Sequence, residues 1–215
     1  SCCVPASVFV PLGAVAQLDN SYMVKQGDLV IASGKLYETS KGVSYGTIAG
    51  SKVEYSKDSG YEVFETSVSI TAGGFAILFN SEGNVVGVSK ASTDTSSKFI
   101  GISDLKAQIE TMINEHGIMY CGITGQNVTE ELAAKYGLPR GVYISNVDID
   151  SPAYYAGLQA GDVISAINGQ SILTIQQFSE KLYQCESGQQ ISITAKRFGG
   201  DEYKDMTFNA VIAVK

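Results

Sequence analysis

No stretch of this chain narrows the possible folds as much as residues 141–169, where one local signal follows another. Gly141-Val142-Tyr143-Ile144-Ser145-Asn146-Val147 alternates with a period of two, as a half-buried strand does. Asp150-Ser151-Pro152-Ala153 then offers a capping hydroxyl, with proline at the first helical position where its missing N–H is not needed. A short helix is predicted there. Ala156-Gly157-Leu158-Gln159-Ala160-Gly161-Asp162 leads into a second strand, residues 163–167, closed by Asn168-Gly169, a dipeptide suited to a tight hairpin turn.

The rest of the chain divides around this stretch. From Val8 to about Ser89, short β-type runs alternate with Gly, Ser, Asn and Asp. Predicted strands cover residues 29–32, 42–48, 53–55, 62–66, 76–79 and 85–88, with a turn at 80–84, and their spacing predicts a small all-β barrel. Residues 91–98 read as a polar connection. Apolar Ile102, Leu105, Ile109, Met112 and Ile113 recur close to period 3.6, which predicts a helix with Ser103 as N-cap and Gly117 as its stop. Beyond Ile118 come a strand around residues 120–124, a short helix at 130–136, and a helix at 174–185 with Ile175, Phe178 and Leu182 on one face. Strands at 191–197 and 203–214 complete the chain. The reading is a barrel at 1–98, a linker helix at 99–117 and a second domain at 118–215.

Length and composition agree with two folded units: 215 residues, 44% of them hydrophobic and 17% charged, are ordinary for globular domains. The net charge of −7 is shared between both halves, so no basic surface for nucleic acid or an anionic membrane is expected. No apolar run approaches the roughly 18 residues of a membrane-spanning helix. Residues 1–7 lack the basic segment and long apolar core of an intact signal peptide. Cys2, Cys3, Cys121 and Cys185 lack metal-ligand spacing, and neither a metal nor a cofactor is expected.

The succession Ser151-Pro152-Ala153, Ala156-Gly157-Leu158, Gly161-Asp162 and Ile167-Asn168-Gly169 resembles the core of the PDZ domain attached to bacterial HtrA-like, DegP-type serine proteases. The N-terminal part is similar to the second β-barrel of the trypsin-fold protease domain of that family. Residues 25–34 resemble its Gly-Asp strand, residues 42–50 its next hairpin, and residues 69–88 its active-site loop and following hairpin. The resemblance implies a mainly β fold: a trypsin-like second barrel, a linker helix, and an HtrA-type PDZ domain with two helices. The first barrel, which carries the catalytic His and Asp in the family, would precede residue 8. By resemblance alone, the protein would be extracytoplasmic, or anchored to a membrane through a segment preceding this chain.

Trypsin-like hydrolysis needs a hydroxyl nucleophile beside a base, a group that orients the base, and N–H donors for the oxyanion. The family's Gly-Asn-Ser-Gly-Gly loop corresponds here to Ile70-Thr71-Ala72-Gly73-Gly74-Phe75-Ala76-Ile77-Leu78, one residue shorter. Its Ser position falls on Phe75 or on Gly74, according to the side from which the loop is aligned, and neither is a nucleophile. Gly73 and Gly74 read as a tight turn or, alternatively, as a surviving oxyanion-hole backbone. Ser67 and Ser69 read as strand residues, and the single histidine, His116, as a cation at the C-terminal end of the linker helix. No catalytic residue is therefore assigned.

A PDZ-type groove is the second candidate site. Such a groove holds a peptide's terminal carboxylate on successive backbone N–H groups while the peptide adds a strand to a sheet edge. Tyr120-Cys121-Gly122-Ile123 resembles the carboxylate loop of HtrA-type PDZ domains, and Ile123, Phe178 and Leu182 would line the pocket, unless all three belong to the core. Cys121 reads as a small buried hydrophobe. A bulky residue at Gly122 is expected to block peptides without unfolding the domain. Three functions follow: a non-catalytic HtrA-like protein binding apolar C-terminal or unfolded peptides, a fragment of an active HtrA-type endopeptidase of protein quality control, or a scaffold without a peptide ligand. The partners expected with the first are such peptides, together with a second copy or an upstream barrel covering the half-barrel's apolar face.

Overall fold

A computed structural model of the chain describes residues 15–37, 40–71, 73–90, 97–114 and 117–214. Strands β1 (Leu29–Tyr37), β2 (Ser40–Ser56), β3 (Ser59–Thr66), β4 (Phe75–Phe79), β5 (Val85–Ser89) and β6 (Ser97–Gly101) close into a barrel in the order β1-β2-β3-β6-β5-β4. Every pairing in it is antiparallel. Val30, Ala32, Leu36, Ile48, Phe64, Val68, Ile70, Ala76, Leu78, Val86 and Phe99 fill the interior.

Two predicted strands, residues 42–48 and 53–55, are one long strand here. A β-bulge between Ile48 and Gly50 bends β2 without ending it, because the extra residue is absorbed against β3. The polar reading of residues 91–98 also needs correction at its end. Ser97 and Lys98 begin β6, whose Phe99 is fully buried, and the strand runs to Gly101 before turning directly into a helix. Ser67 and Ser69 lie after β3 rather than in a strand, and Ser67 Oγ accepts a bond from Thr47 N.

Helix α1 (Ile102–Ile113) follows with Gly101 as its N-cap, so Ser103 sits one residue inside the helix instead of capping it. The cap comes from elsewhere: Ser21 Oγ accepts from Ser103 N at 3.0 Å, while Ser103 Oγ accepts from Ser21 N at 2.9 Å. His116 lies outside the described residues, as do Cys2, Cys3 and residues 91–96. No helix among the described residues is long and apolar enough to cross a membrane.

The C-terminal half contains β7 (Met119–Tyr120), β8 (Ile123–Asn127), α2 (Glu130–Tyr136), β9 (Val142–Val147), α3 (Pro152–Ala156), β10 (Val163–Ile167), β11 (Gln170–Ser171), α4 (Ile175–Tyr183), β12 (Gln190–Phe198), β13 (Tyr203–Val211) and β14 (Ala213–Val214). Its main sheet has the order β13-β12-β10-β9-β8, with β11 paired to β10, and β7 pairs with β14 in a separate two-stranded sheet. The local signals act as read: Ser151 Oγ accepts from Tyr154 N with Pro152 behind it, Thr174 Oγ1 caps α4, and Asn168 and Gly169 both adopt positive φ in the β10–β11 turn. Buried Asp162 is answered by the Arg197 fork, with Nε and Nη2 each 2.7 Å from a carboxylate oxygen. Arg197 Nη2 also donates to Gly157 O, which ties α3 to the sheet.

The predicted strand around residues 120–124 is broken in two. β7 and β8 pair with different sheets, and Cys121-Gly122 forms the loop between them. Gly122 makes that break possible: its φ is +93°, a region L side chains rarely enter.

Candidate functional site

The site is built where the barrel reaches the C-terminal half. β1 stays paired with β2 only as far as Leu29–Thr47, and β6 with β3 only as far as Ile100–Val63. From Val53 to Glu62 the β2–β3 hairpin is therefore a two-stranded ribbon standing out from the barrel, with Lys57-Asp58 as its tip between the pair Ser56–Ser59. Hairpin tips normally lie in water. This one does not: Asp58, Ser59 and Gly60 are all buried, Asp58 to 4% of its free exposure.

Asp58 enters the loop between β7 and β8. Its Oδ2 accepts from Cys121 N at 3.0 Å and Gly122 N at 2.8 Å, and its Oδ1 accepts from Gly122 N at 2.9 Å and Ile123 N at 2.9 Å. Three successive backbone N–H groups thus hold one carboxylate, the arrangement of an anion nest. Asp58 adopts φ +54°, a left-handed conformation that Asp tolerates better than most residues. The backbone follows the side chain: Asp58 N donates to Ile123 O at 2.8 Å, and Lys57 forms an antiparallel bridge with Thr124 on the edge of β8 away from β9. Lys57 Nζ pairs with Asp148 and lies over the Tyr120 ring, and Tyr120 OH donates to Asp148 Oδ2 at 2.6 Å.

Helix α4 forms the other wall. Ser59 Oγ and Ser179 Oγ are 3.1 Å apart, and a Cβ placed on Gly60 would come within 2.4 Å of Ile175 Cγ2, so the ribbon backbone lies directly on the helix. Asn127 sets the start of α4 against β8, accepting from Ile175 N at 2.7 Å. From α1, Gln108 Nε2 donates to Tyr61 OH and Tyr183 OH, and Asp104 Oδ2 accepts from Glu62 N at 2.6 Å. The ribbon is fixed on both sides.

Burial pushes the Asp58 carboxyl above its ordinary range, and Asp148 adds to the rise, while the three N–H donors pull against it. Burial likewise holds the Cys121 thiol well above its usual value, so its side chain is an inert core group and only its N–H faces the site. Tyr120 is pushed up by desolvation and by its bond to Asp148.

The residues singled out from sequence separate into two groups. Cys121, Gly122 and Ile123 converge through their backbones, with Tyr120 beside them. The side chains of Ile123, Phe178 and Leu182 are fully buried among Ile144, Ile164 and Ile191 in the core of the C-terminal half. The α4 residues that meet the ribbon include Ile175 and Ser179. Both were missed as site residues, as was Asp58. An i, i+4 spacing on the groove side of α4 was the available signal for the helix pair. Gly122 is more constrained than its sequence suggests. A Cβ there would lie 2.2 Å from Ser151 Cβ, so a bulky replacement strikes the cap of α3 as well as the site, against the expectation of a harmless block.

In the barrel, Gly73 takes φ +76° and Gly74 N donates to Thr71 O at 2.8 Å, which closes the tight turn that precedes β4. A Cβ on Gly74 would meet Ile70 Cγ2 at 2.5 Å, so the position demands glycine for packing. Phe75 is the first residue of β4, opposite Lys35 and half exposed.

Residues 143–197 match the model of the PDZ domain family. Those residues include α3, α4 and β10, while the loop that holds Asp58 precedes them. A probable periplasmic serine endoprotease, DegP-like, from Pseudomonas putida (strain W619) is 28% identical over 206 residues, covering 91% of this chain and 43% of that protein. The protein of the same description from Ectopseudomonas mendocina (strain ymp) is 30% identical over 168 residues, covering 73% of this chain and 35% of its own length. Among solved structures, the HtrA-type protease AlgW with tripeptide superposes with a TM-score of 0.65 at 21% identity, over 93% of this chain and 69% of that one. The chain is HtrA-like. Its fold is the trypsin-type barrel followed by a PDZ domain. The HtrA-like chain spans less than half the length of the curated relatives it matches.

Proposed function

We propose that residues 118–215 of this HtrA-like chain bind peptides with a free, apolar C-terminus, the terminal carboxylate lying on the N–H groups of Cys121, Gly122 and Ile123. One observation carries the reading: those three donors already hold a carboxylate, that of Asp58, in a fully hydrogen-bonded geometry. The outer edge of β8 supplies the strand addition and Ile175 of α4 supplies apolar contact, with Phe178, Leu182 and Ile123 supporting that wall from the core. Amidating a bound peptide's C-terminus should weaken it by about 1.5–3 kcal/mol, the scale of a charge-assisted hydrogen bond, or roughly ten- to a hundredfold. Calorimetric titration of matched free-acid and amidated octapeptides ending in Val, Leu, Ile or Phe measures this. Equal affinities for the two forms would leave only the scaffold reading.

The barrel half is proposed to be non-hydrolytic. Its Gly73-Gly74-Phe75 turn presents no hydroxyl where the family places its nucleophile, and Gly74 N is engaged with Thr71 O. A serine-reactive fluorophosphonate probe is expected to leave the chain unlabelled. Label on a serine, lost when that serine becomes alanine, would restore the endopeptidase reading. The relatives' periplasmic descriptions support an extracytoplasmic location. Leu29, Val43 and Tyr45 leave apolar surface on the outside of β1 and β2, which supports self-association or an upstream barrel packed there.

A further inference from the structure

We propose that the β2–β3 ribbon is a built-in occupant of the PDZ groove, and that a C-terminal peptide binds only after Asp58 has left it. This rests on the peptide-binding reading above and adds a competitor that the chain itself carries. Each feature a peptide would use is already taken. The three donors hold the Asp58 carboxylate, the edge of β8 bridges Lys57 and accepts the Asp58 N–H, and α4 lies against Ser59 and Gly60. The Asp58 side chain stands in for a peptide's terminal carboxylate, with one difference: the chain runs on past it through Ser59 into β3. Lys57 secures the seat from the side by pairing with Asp148.

Ribbon and peptide compete for the groove. A carboxylate and a peptide terminus cannot share the same three N–H groups. The ribbon is also tethered, so its effective concentration at the groove is on the order of millimolar whatever the protein concentration. A free peptide therefore binds with its intrinsic affinity reduced by the fraction of molecules whose groove is open. Release would break the ribbon's contacts with β8, α4 and α1 but none of the barrel's strand pairing, since no barrel strand other than β2 and β3 themselves pairs with it from Val53 to Glu62, and the β2 bulge at Ile48/Gly50 marks where it joins the barrel.

Two variants isolate the carboxylate. Asp58→Gly keeps the left-handed backbone at no steric cost, and Asp58→Asn keeps the shape while replacing a carboxylate oxygen by an amide that faces N–H donors. Amide hydrogen exchange on the full chain reports the seat without any ligand. Gly122 and Ile123 should exchange slowly in the wild type and at least tenfold faster in Asp58→Gly, and fast exchange in both would show that the ribbon is not seated and overturn the proposal. Fluorescence anisotropy with labelled free-acid octapeptides ending in Val, Leu, Ile or Phe reports the competition. Both variants should bind at least tenfold more tightly than the wild type. Equal binding by all three proteins would overturn the competition and leave the peptide reading standing. Slow wild-type exchange with no binding by any of the proteins would overturn the peptide reading, and the ribbon would then be a latch between barrel and PDZ domain.

Discussion

Replacing Phe178 by alanine should destabilise the PDZ domain by about 3–5 kcal/mol, the usual cost of removing a buried aromatic ring. Phe178 is fully buried on α4 and packs into the same core as Ile123, Leu182 and Ile191, so its loss opens a cavity between the helix and the sheet. The damage should be local at first. Slow-exchanging amides of β9, β10 and β12 would lose protection in step, while those of β1, β4 and β5 in the barrel would keep theirs, because the barrel core shares no residue with that cluster. A loss under about 1 kcal/mol, accompanied by weaker peptide binding, would instead make Phe178 a pocket residue that contributes little to the core.

Gly122→Val should have an effect of similar size for a different reason. The backbone at Gly122 has φ +93°, which a β-branched residue adopts only at a cost of order 1–3 kcal/mol, and its Cβ would overlap Ser151. Ser151 is fully buried and caps α3 through Tyr154 N, so the collision adds overpacking of about 1–3 kcal/mol and loosens the helix cap. The Asp58 seat should be lost with it. Thermal unfolding followed by circular dichroism would show a lowered transition for the PDZ domain. A variant with wild-type stability and an intact Asp58 seat would mean that the β7–β8 loop relaxes freely, and that glycine is not required there.

The contrast between these positions and Asp58 shows what the sequence makes legible. Capping and turn chemistry act within a few residues, so Ser151-Pro152, Thr174 and Asn168-Gly169 could be placed directly, and the PDZ-like unit grew from them. The barrel was legible wherever glycine or asparagine bounded an apolar run. It failed at β6, whose polar start at Ser97-Lys98 reads as part of the connection before it and whose last residue, Gly101, is at once the N-cap of α1, and at β2, where a bulge reads as a break. The α1 cap escaped for a related reason: its hydroxyl comes from Ser21, far away in the chain, while Ser103 was the nearer choice. Nor could the function of the hairpin tip be read. Lys57-Asp58-Ser59-Gly60 is an ordinary polar turn by composition, and only the fold carries its carboxylate to donors more than sixty positions away. Local patterning does not distinguish the turn of an amphipathic helix that faces a groove from the one that faces the core, and this is why Phe178 and Leu182 read from sequence as groove residues while Ile175 and Ser179 do not.

The N–H groups of Cys121, Gly122 and Ile123 act here as a carboxylate receptor, holding Asp58. The most direct measurement is the proton–nitrogen correlation spectrum of the full Asp58→Gly chain, titrated with an octapeptide ending in leucine as the free acid and then as the amide. The free acid should move all three amide resonances downfield, toward their positions in the wild-type spectrum where Asp58 is seated, and the amidated peptide should leave them nearly unmoved at equal concentration. Free acid that binds elsewhere on the domain with those three resonances unchanged, or amide that shifts them as far as the acid does, would contradict the account.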